Sequence, residues 1–331
     1  MKKYLIPIII LILIAGAFTW RALSTTQYVA DPNQPTEPNQ PSEPNPSLPT
    51  EPTTPTEPTP KPPLEPVDPP EVSAGAFKLI TLTTDKPGAE LTAAVGRENV
   101  EAILALNRID DKHLYTGITM SIPATLGDEE ALDVAEAFLP ETIEAASTIP
   151  KLVIVSQRVQ AFGFYEFGKL VRSGPVSSGK QSTPTPNRLY FANWKGKEVV
   201  STFSDEWILK WNFNVANFEG IGLHHYAMPG YPASHSCVRF YEDDAEFLYN
   251  WGDQWVLDSD GQTKLANGMP VIIFGNYAFG KTAPWKALAT DPKATTITQT
   301  EIEKLVNDNL ETIQKEQQKR EQVLAARASA Q

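Results

Sequence analysis

Gly222-Leu-His-His-Tyr-Ala-Met-Pro-Gly-Tyr-Pro-Ala-Ser-His-Ser-Cys-Val-Arg239 holds the only cysteine of the chain, Cys237, and three of its four histidines, His224, His225 and His235. A single cysteine has no intrachain partner, so a disulfide within the chain is excluded. A lone thiol among imidazoles reads as a nucleophile. At neutral pH an ordinary thiol is mostly protonated, so it needs a neighbour that takes the proton. On a strand, His235 and Cys237 are two apart and share a face. His224 precedes the Pro229-Gly230 turn, after which a return strand would bring its ring to the sulfur. Arg239 continues the face of Cys237 and offers two hydrogen bonds to a carboxylate. His224 and His225 are adjacent, so on a strand they face opposite sides and only one reaches the thiol.

Outward from this run, the texture is that of short strands. Leu152 to Ser156, Val159 to Glu166, Leu170 to Ser177, Leu189 to Ala192 and Pro270 to Phe274 are apolar or alternating, with Gly, Ser and Pro between them. This spacing predicts a sandwich or barrel, not a doubly wound sheet. Ser182-Thr-Pro-Thr-Pro-Asn187 is a rigid turn within it. Asp243 to Trp251 reads as a helix that Asp243 or Asp244 would cap. Thr298 to Ala328 reads as a charged helix opened by Thr298 and Glu301 at capping-box spacing, with a frayed far end.

Upstream, Lys78 to Thr83 alternates as a strand, Glu98 to Asn107 has helical spacing, and a short strand ends at Ile122-Pro123. A further helix is expected from Asp128 to Phe138. Residues 73–149 thus read as a small α+β subdomain bracing the larger one. Its stretch from Ile103 to Pro123 resembles the second half of a LysM glycan-binding module, while the first half matches poorly.

The amino terminus differs in kind. Met1-Lys-Lys precedes an apolar stretch from Tyr4 to Trp20, a helix of roughly 25 Å at about 1.5 Å per residue. This suits a membrane anchor or a cleaved signal peptide over residues 1–24, with everything after Trp20 exported. No cysteine follows closely, so a lipoprotein anchor is excluded. From Asp31 to Glu71 stand 16 of the 29 prolines, with eight acidic residues against Lys61 alone. Residues 25–72 therefore read as a solvated tether reaching on the order of 100 Å. Much of the net charge of -12 belongs to this tether and says nothing about the substrate of the folded part. No Walker loop, dinucleotide fingerprint or basic aromatic surface points to nucleotide or nucleic acid.

The run from Leu223 to Phe240 resembles the active-site motif of the L,D-transpeptidase catalytic domain, YkuD: a His, a variable loop, Ser-His-Gly-Cys, then a hydrophobic residue and Arg or Asn. The likeness extends to Ser177-Ser-Gly-Lys180, Thr183-Pro-Thr-Pro186 and Gly268-Met-Pro-Val-Ile-Ile-Phe274. It implies a mainly β fold with peripheral helices, a YkuD-like β-sandwich over residues 150–290; the charged helix read above makes residues 291–331 a C-terminal helical tail. It further implies that Cys237 is acylated and that His224 is the general base. Ser234 and His235 would shape the site, Arg239 would contact substrate, and the N–H groups of Ser236 and Cys237 would be oxyanion donors. The chain departs from the pattern at Ser236, where glycine is usual, and at Asn187. A positive φ at Ser236 would cost about 1 kcal/mol or more.

The resemblance implies peptidoglycan stem peptides as substrates, neither metal nor organic cofactor, and a place in the cell envelope facing the periplasm. The reaction expected is a 3-3 cross-link made with release of D-alanine. A lysine of an envelope protein or water are the alternative acceptors, and a non-catalytic wall-binding protein is the alternative of another class. His225, Tyr231 and Trp211 are rim or substrate-contact candidates; Trp194, Trp207, Trp251 and Trp255 are further aromatic candidates. A zinc site is disfavoured, since His224, His225, His235 and Cys237 lack a Cys-x-x-Cys pair. An NlpC-type peptidase is disfavoured because there the Cys precedes the His and opens a helix.

Overall fold

Phe77–Thr81 (β1) pairs antiparallel with Thr119–Pro123 (β2), and Pro87–Val95 (α1) and Val100–Leu106 (α2) intervene in sequence. Pro87 suits the first turn of α1, where its missing N–H is no loss, and Gly96 at φ 81° ends the helix. Leu91, Val95, Ile103 and Leu106 turn inward onto Phe77, Met120 and Ile122, closing a small α+β core. α1 escapes sequence reading because Ala-rich Pro87-Gly-Ala-Glu-Leu-Thr-Ala-Ala-Val95 carries only two buried apolar residues, Leu91 and Val95. The structure, a computed structural model, describes residues 75–125, 138–201 and 206–330. The expected membrane segment, the tether, and residues 128–137 of the helix expected from Asp128 to Phe138 lie outside the described residues.

The larger part is two sheets face to face. Leu152–Ser156 (β3), Ala161–Glu166 (β4), Lys169–Pro175 (β5), Arg188–Phe191 (β6) and Pro270–Phe274 form one, in the order β5, β4, β3, the Pro270–Phe274 strand, β6. Lys195–Val200 (β7), Ile208–Ala216 (β8), Ile221–His225 (β9) and Val238–Phe240 (β10) form the other, in the order β10, β9, β8, β7. Val256–Leu257 (β11) and Lys264–Ala266 (β12) make a small ribbon, so Pro270–Phe274 is β13. Alternate residues Val153, Val155, Val271 and Ile273 meet Phe213, Ile221, Leu223, Val238 and Phe240 between the sheets. This packing of two apolar faces against each other is the sandwich expected. Glu242–Trp251 (α3) adds Ala245 and Leu248 to the same core.

The outer face of the first sheet is covered too. Leu152, Ile154, Ile272 and Phe274 pack under Ile143, Ile149 and the helix Gln299–Ser329. That helix is α5, after the short Pro284–Ala287 (α4). Ile302, Val306 and Ile313 lie on one side of α5 and are buried, so the first part of the helix is a layer of the fold and not a free tail. The N–H of Glu301 donates to Thr298 Oγ1 at 3.2 Å, while the Glu301 carboxylate takes Arg158 Nη2 at 2.8 Å instead of closing the box. α3 differs from expectation at its start. Tyr241 is the N-cap residue and no side chain caps it, because Asp244 is buried in a 2.5 Å pair with Arg172 Nε. Among the described residues no helix is long and apolar enough to cross a membrane.

Candidate active site

β9 and β10 pair in parallel, with Leu223 opposite Val238 and His224 opposite Arg239. The Pro229-Gly230 turn therefore does not return an antiparallel strand. Residues 226–237 instead cross over and enter β10 in the direction of β9. His235, Ser236 and Cys237 are correspondingly not on a strand but in a bend before it, with Ser236 at φ 80°. The parallel register sets the Cys237 sulfur beside Gly222, whose N–H donates to Sγ at 3.4 Å, and the thiol points to the Gly220 carbonyl at 3.4 Å. A Cβ at Gly222 would lie 2.5 Å from Asn212 Oδ1, so any larger residue there would displace the Asn212 amide from the cavity wall. Burial pushes the Cys237 thiol up, opposed by the Gly222 N–H and by Arg239.

His224 is buried, and its Nδ1 lies 2.9 Å from the His225 carbonyl. A carbonyl only accepts, so Nδ1 carries the proton and Nε2 keeps its lone pair. Burial pulls the imidazole down to about 4, with Arg239 and His225 adding to the effect and the backbone bond opposing it. The ring is neutral at neutral pH and is a base, and it lines the same cavity as Cys237. The resting pair is thus neutral thiol and neutral imidazole.

The bend is held from behind. Thr183 Oγ1 donates to the Ser234 carbonyl at 3.1 Å and Thr185 Oγ1 to the Ser236 carbonyl at 2.9 Å, so the Thr183-Pro-Thr-Pro186 turn is a buttress. Ser234 Oγ donates to the Cys237 carbonyl. Ser236 Oγ donates to the Thr183 carbonyl at 3.3 Å, which ties down the residue at positive φ. His235 Nε2 lies 2.8 Å from Lys180 Nζ, and a lysine ammonium only donates, so the ring accepts there and is neutral. His235 therefore positions the loop; burial, Lys180 and Arg239 lower its pKa. Arg239 lines the cavity with its guanidinium 4.8 Å from the Tyr226 ring centroid.

Of the residues expected at the site, Cys237, His224, Ser234, His235 and Arg239 line one cavity. The others do not. His225 turns away, giving Nδ1–H to the Phe240 carbonyl at 3.2 Å and approaching Glu242 at 3.8 Å. Tyr231 is exposed outside the cavity. Trp211 packs on the core and against Tyr249, while Trp194 and Trp207 line the cavity instead. The cause is an irregularity in β8: Trp211 has φ 53° and the register with β9 shifts between Lys210 and Phe213. Side-chain parity changes there, so Leu209, Asn212 and Asn214 face the cavity while Phe213 and Val215 face the core. Asn212, Asn214 and Tyr226 were not foreseen. The alternation Asn212-Phe-Asn-Val215 carries a strand signal, but only with the bulge does it say which face is the wall. Among the described residues no three His, Cys, Asp or Glu side chains cluster as a metal site.

Residues 150–273 match the family model of the L,D-transpeptidase catalytic domain, YkuD, so the chain carries a domain of that family. No curated protein matches the chain. Among solved structures it is similar to an L,D-transpeptidase from Stackebrandtia nassauensis, at 24% identity over 46% of this chain and 70% of that one, TM-score 0.35. L,D-transpeptidase 3 from Mycobacterium tuberculosis, in complex with a faropenem-derived adduct, matches at 20% identity over 38% and 60%, TM-score 0.30. The catalytic domain of the E. faecium L,D-transpeptidase matches at 19% identity over 38% and 96%, TM-score 0.28. The chain thus spans 60% of the length of the M. tuberculosis enzyme.

Proposed function

We propose that the YkuD-family domain at residues 150–273 is a peptidoglycan L,D-transpeptidase in which Cys237 carries the acyl group. The observation behind this is that Cys237 and a His224 ring with its Nε2 lone pair unprotonated line one cavity. In the first step the thiol proton passes to His224 Nε2 as sulfur attacks the carbonyl between diaminopimelate and the terminal D-alanine of a tetrapeptide stem. Backbone N–H groups of Ser236 and Cys237 receive the developing oxyanion. The tetrahedral adduct collapses, the C–N bond breaks, and His224 returns the proton to the leaving amine of D-alanine. A thioester remains. The side-chain amine of a second stem then attacks it and gives a proton through His224 to the departing thiolate, leaving a 3-3 cross-link. The energy is that of the peptide bond exchanged, so no ATP is required in the cell envelope, to which we also assign the chain by its N-terminal sequence.

Because the resting Cys237–His224 pair is neutral, its ion pair forms only as the substrate arrives; Arg239, which lines the same cavity, supplies the fixed positive charge for a substrate carboxylate. The test is incubation of the full chain with disaccharide-tetrapeptide, with products resolved by mass. D-alanine with a cross-linked dimer supports the cross-linking reading. D-alanine without dimer assigns the acceptor to water, and dimer only on adding an envelope protein with accessible lysines assigns it to protein. No D-alanine and no adduct with faropenem would overturn acyl transfer in favour of wall binding.

A further inference from the structure

The residues after α2 belong to the N-terminal subdomain, yet Arg108, Ile109 and Asp110 bond the loop that joins His225 to Ser234. Ile109 forms an antiparallel bridge with Pro229. The Asp110 N–H donates to the Met228 carbonyl at 2.8 Å, and the Met228 N–H returns to Asp110 Oδ2 at 2.8 Å. The Gly230 N–H donates to the Arg108 carbonyl at 3.0 Å. Three consecutive residues of the crossover loop are thereby fixed by three consecutive residues of another subdomain. The same loop presents the Ala227 and Ala233 carbonyls that take Arg239 Nη1 and Nη2 at 3.1 and 3.2 Å. Arg239 lines the cavity, so what aims it is a matter of function and not only of fold.

The elbow itself is built to be rigid. Arg108 sits at φ 57° and is buried, with its guanidinium 4.9 and 4.8 Å from the ring centroids of Phe138 and Trp285. Its Nε donates to the Val159 carbonyl at 3.0 Å, tying the elbow to the turn between β3 and β4. Asn107 bonds its own helix at Ile103 and the β2 residue Ser121, through both ends of its amide. Tyr241 gives its hydroxyl to the Ile109 carbonyl at 2.7 Å, reaching in from just beyond β10. A buried cation and a left-handed non-glycine residue are each costly, and here both serve to hold one backbone segment.

We propose that Arg108–Asp110 is a positioning element of the catalytic cavity, and that Asp110 is its key residue: through Met228 it sets the Ala227 carbonyl, and through that carbonyl the aim of Arg239. The proposal rests on the transpeptidase reading for the nature of the substrate, not for the geometry. Asp110 does not line the cavity. Its Oδ2 takes the loop amide while Oδ1 takes the His113 backbone N–H at 3.0 Å and ring Nδ1 at 2.5 Å. Asn at this position retains one acceptor for Met228; Ala retains none.

The test compares Asp110→Ala, Asp110→Asn and His113→Ala in the full chain. The expected result is that Ala raises KM for the tetrapeptide about tenfold with kcat within about threefold, a loss of loop aim and not of chemistry. Asn restores most of it, His113→Ala leaves KM at the wild-type value, and alkylation of Cys237 by iodoacetamide is unchanged throughout. Wild-type KM in Asp110→Ala would overturn the proposal, as would equal impairment of Ala and Asn with a parallel fall in Tm. Amide exchange over residues 226–237 keeps the elbow separable from the transpeptidase reading. If the wild type releases no D-alanine, faster exchange there in Asp110→Ala still supports the positioning role, and unchanged exchange refutes it.

Discussion

The two sheets of the sandwich are similar in size and opposite in design. β3 and β13 of the first are buried on both faces, with Leu152, Ile154 and Ile272 under α5 and Val153, Val155 and Val271 against the second sheet. The second sheet is dry on one face only. Its other face is the cavity wall, and there stand the bulge at Trp211, the polar pair Asn212 and Asn214, and the buried His224. A sheet packed on both faces has no freedom to carry chemistry; one packed on a single face can hold polar groups out of water at some cost in stability. The first sheet should therefore govern folding and the second should govern activity.

The largest effect expected from that division is on the first sheet. Ile154→Ala empties a site under α5 and should cost about 2–5 kcal/mol by denaturant unfolding, with the rate of acyl transfer per folded molecule unchanged. A loss of rate without loss of stability would break the comparison. Next is pH. His224 is held near 4 against an ordinary 6.5, so between these values the unfolded chain binds a proton that the folded chain refuses. Stability contributed by the neutral ring is full above 6.5 and is lost as pH falls toward 4, by on the order of 3 kcal/mol. Unfolding curves in that window should flatten in His224→Gln. An unaltered slope would remove the second sheet's electrostatic cost.

A smaller effect is expected at Ser236, the residue at φ 80° in the bend. Ser236→Gly relieves the left-handed serine and should raise stability by about 1 kcal/mol, measured by Tm. No gain would mean that the Ser236 hydroxyl bond to the Thr183 carbonyl offsets the strain. The smallest belongs to the half-exposed Arg158–Glu301 pair that ties the start of α5 to the first sheet. Glu301→Gln should cost less than about 1 kcal/mol, and the cost should shrink with added salt.

This contrast also explains what the sequence discloses. Strands buried on both faces read as continuous apolar runs, so Leu152 to Ser156 and Pro270 to Phe274 are legible residue for residue. Cys237 and His224 are legible as candidates because a lone thiol among imidazoles stands out in the sequence, and both line one cavity. The wall is not. β7 and β8 are alternating and half polar, and one left-handed residue, Trp211, reverses which side chains face the cavity. The direction of β10 is likewise hidden, since Pro229-Gly230 looks like a hairpin turn and instead lies midway along a crossover loop pinned by Arg108, Ile109 and Asp110, far away in sequence. Turn residues report local bending; they do not report whether the next strand pairs parallel or antiparallel.

The most direct measurement is the mass of the full chain quenched within one turnover of disaccharide-tetrapeptide, with the adduct mapped by peptide sequencing beside Cys237→Ala. The account predicts a thioester on the peptide holding Cys237, formed together with free D-alanine, and neither in the variant. D-alanine release by Cys237→Ala would contradict it.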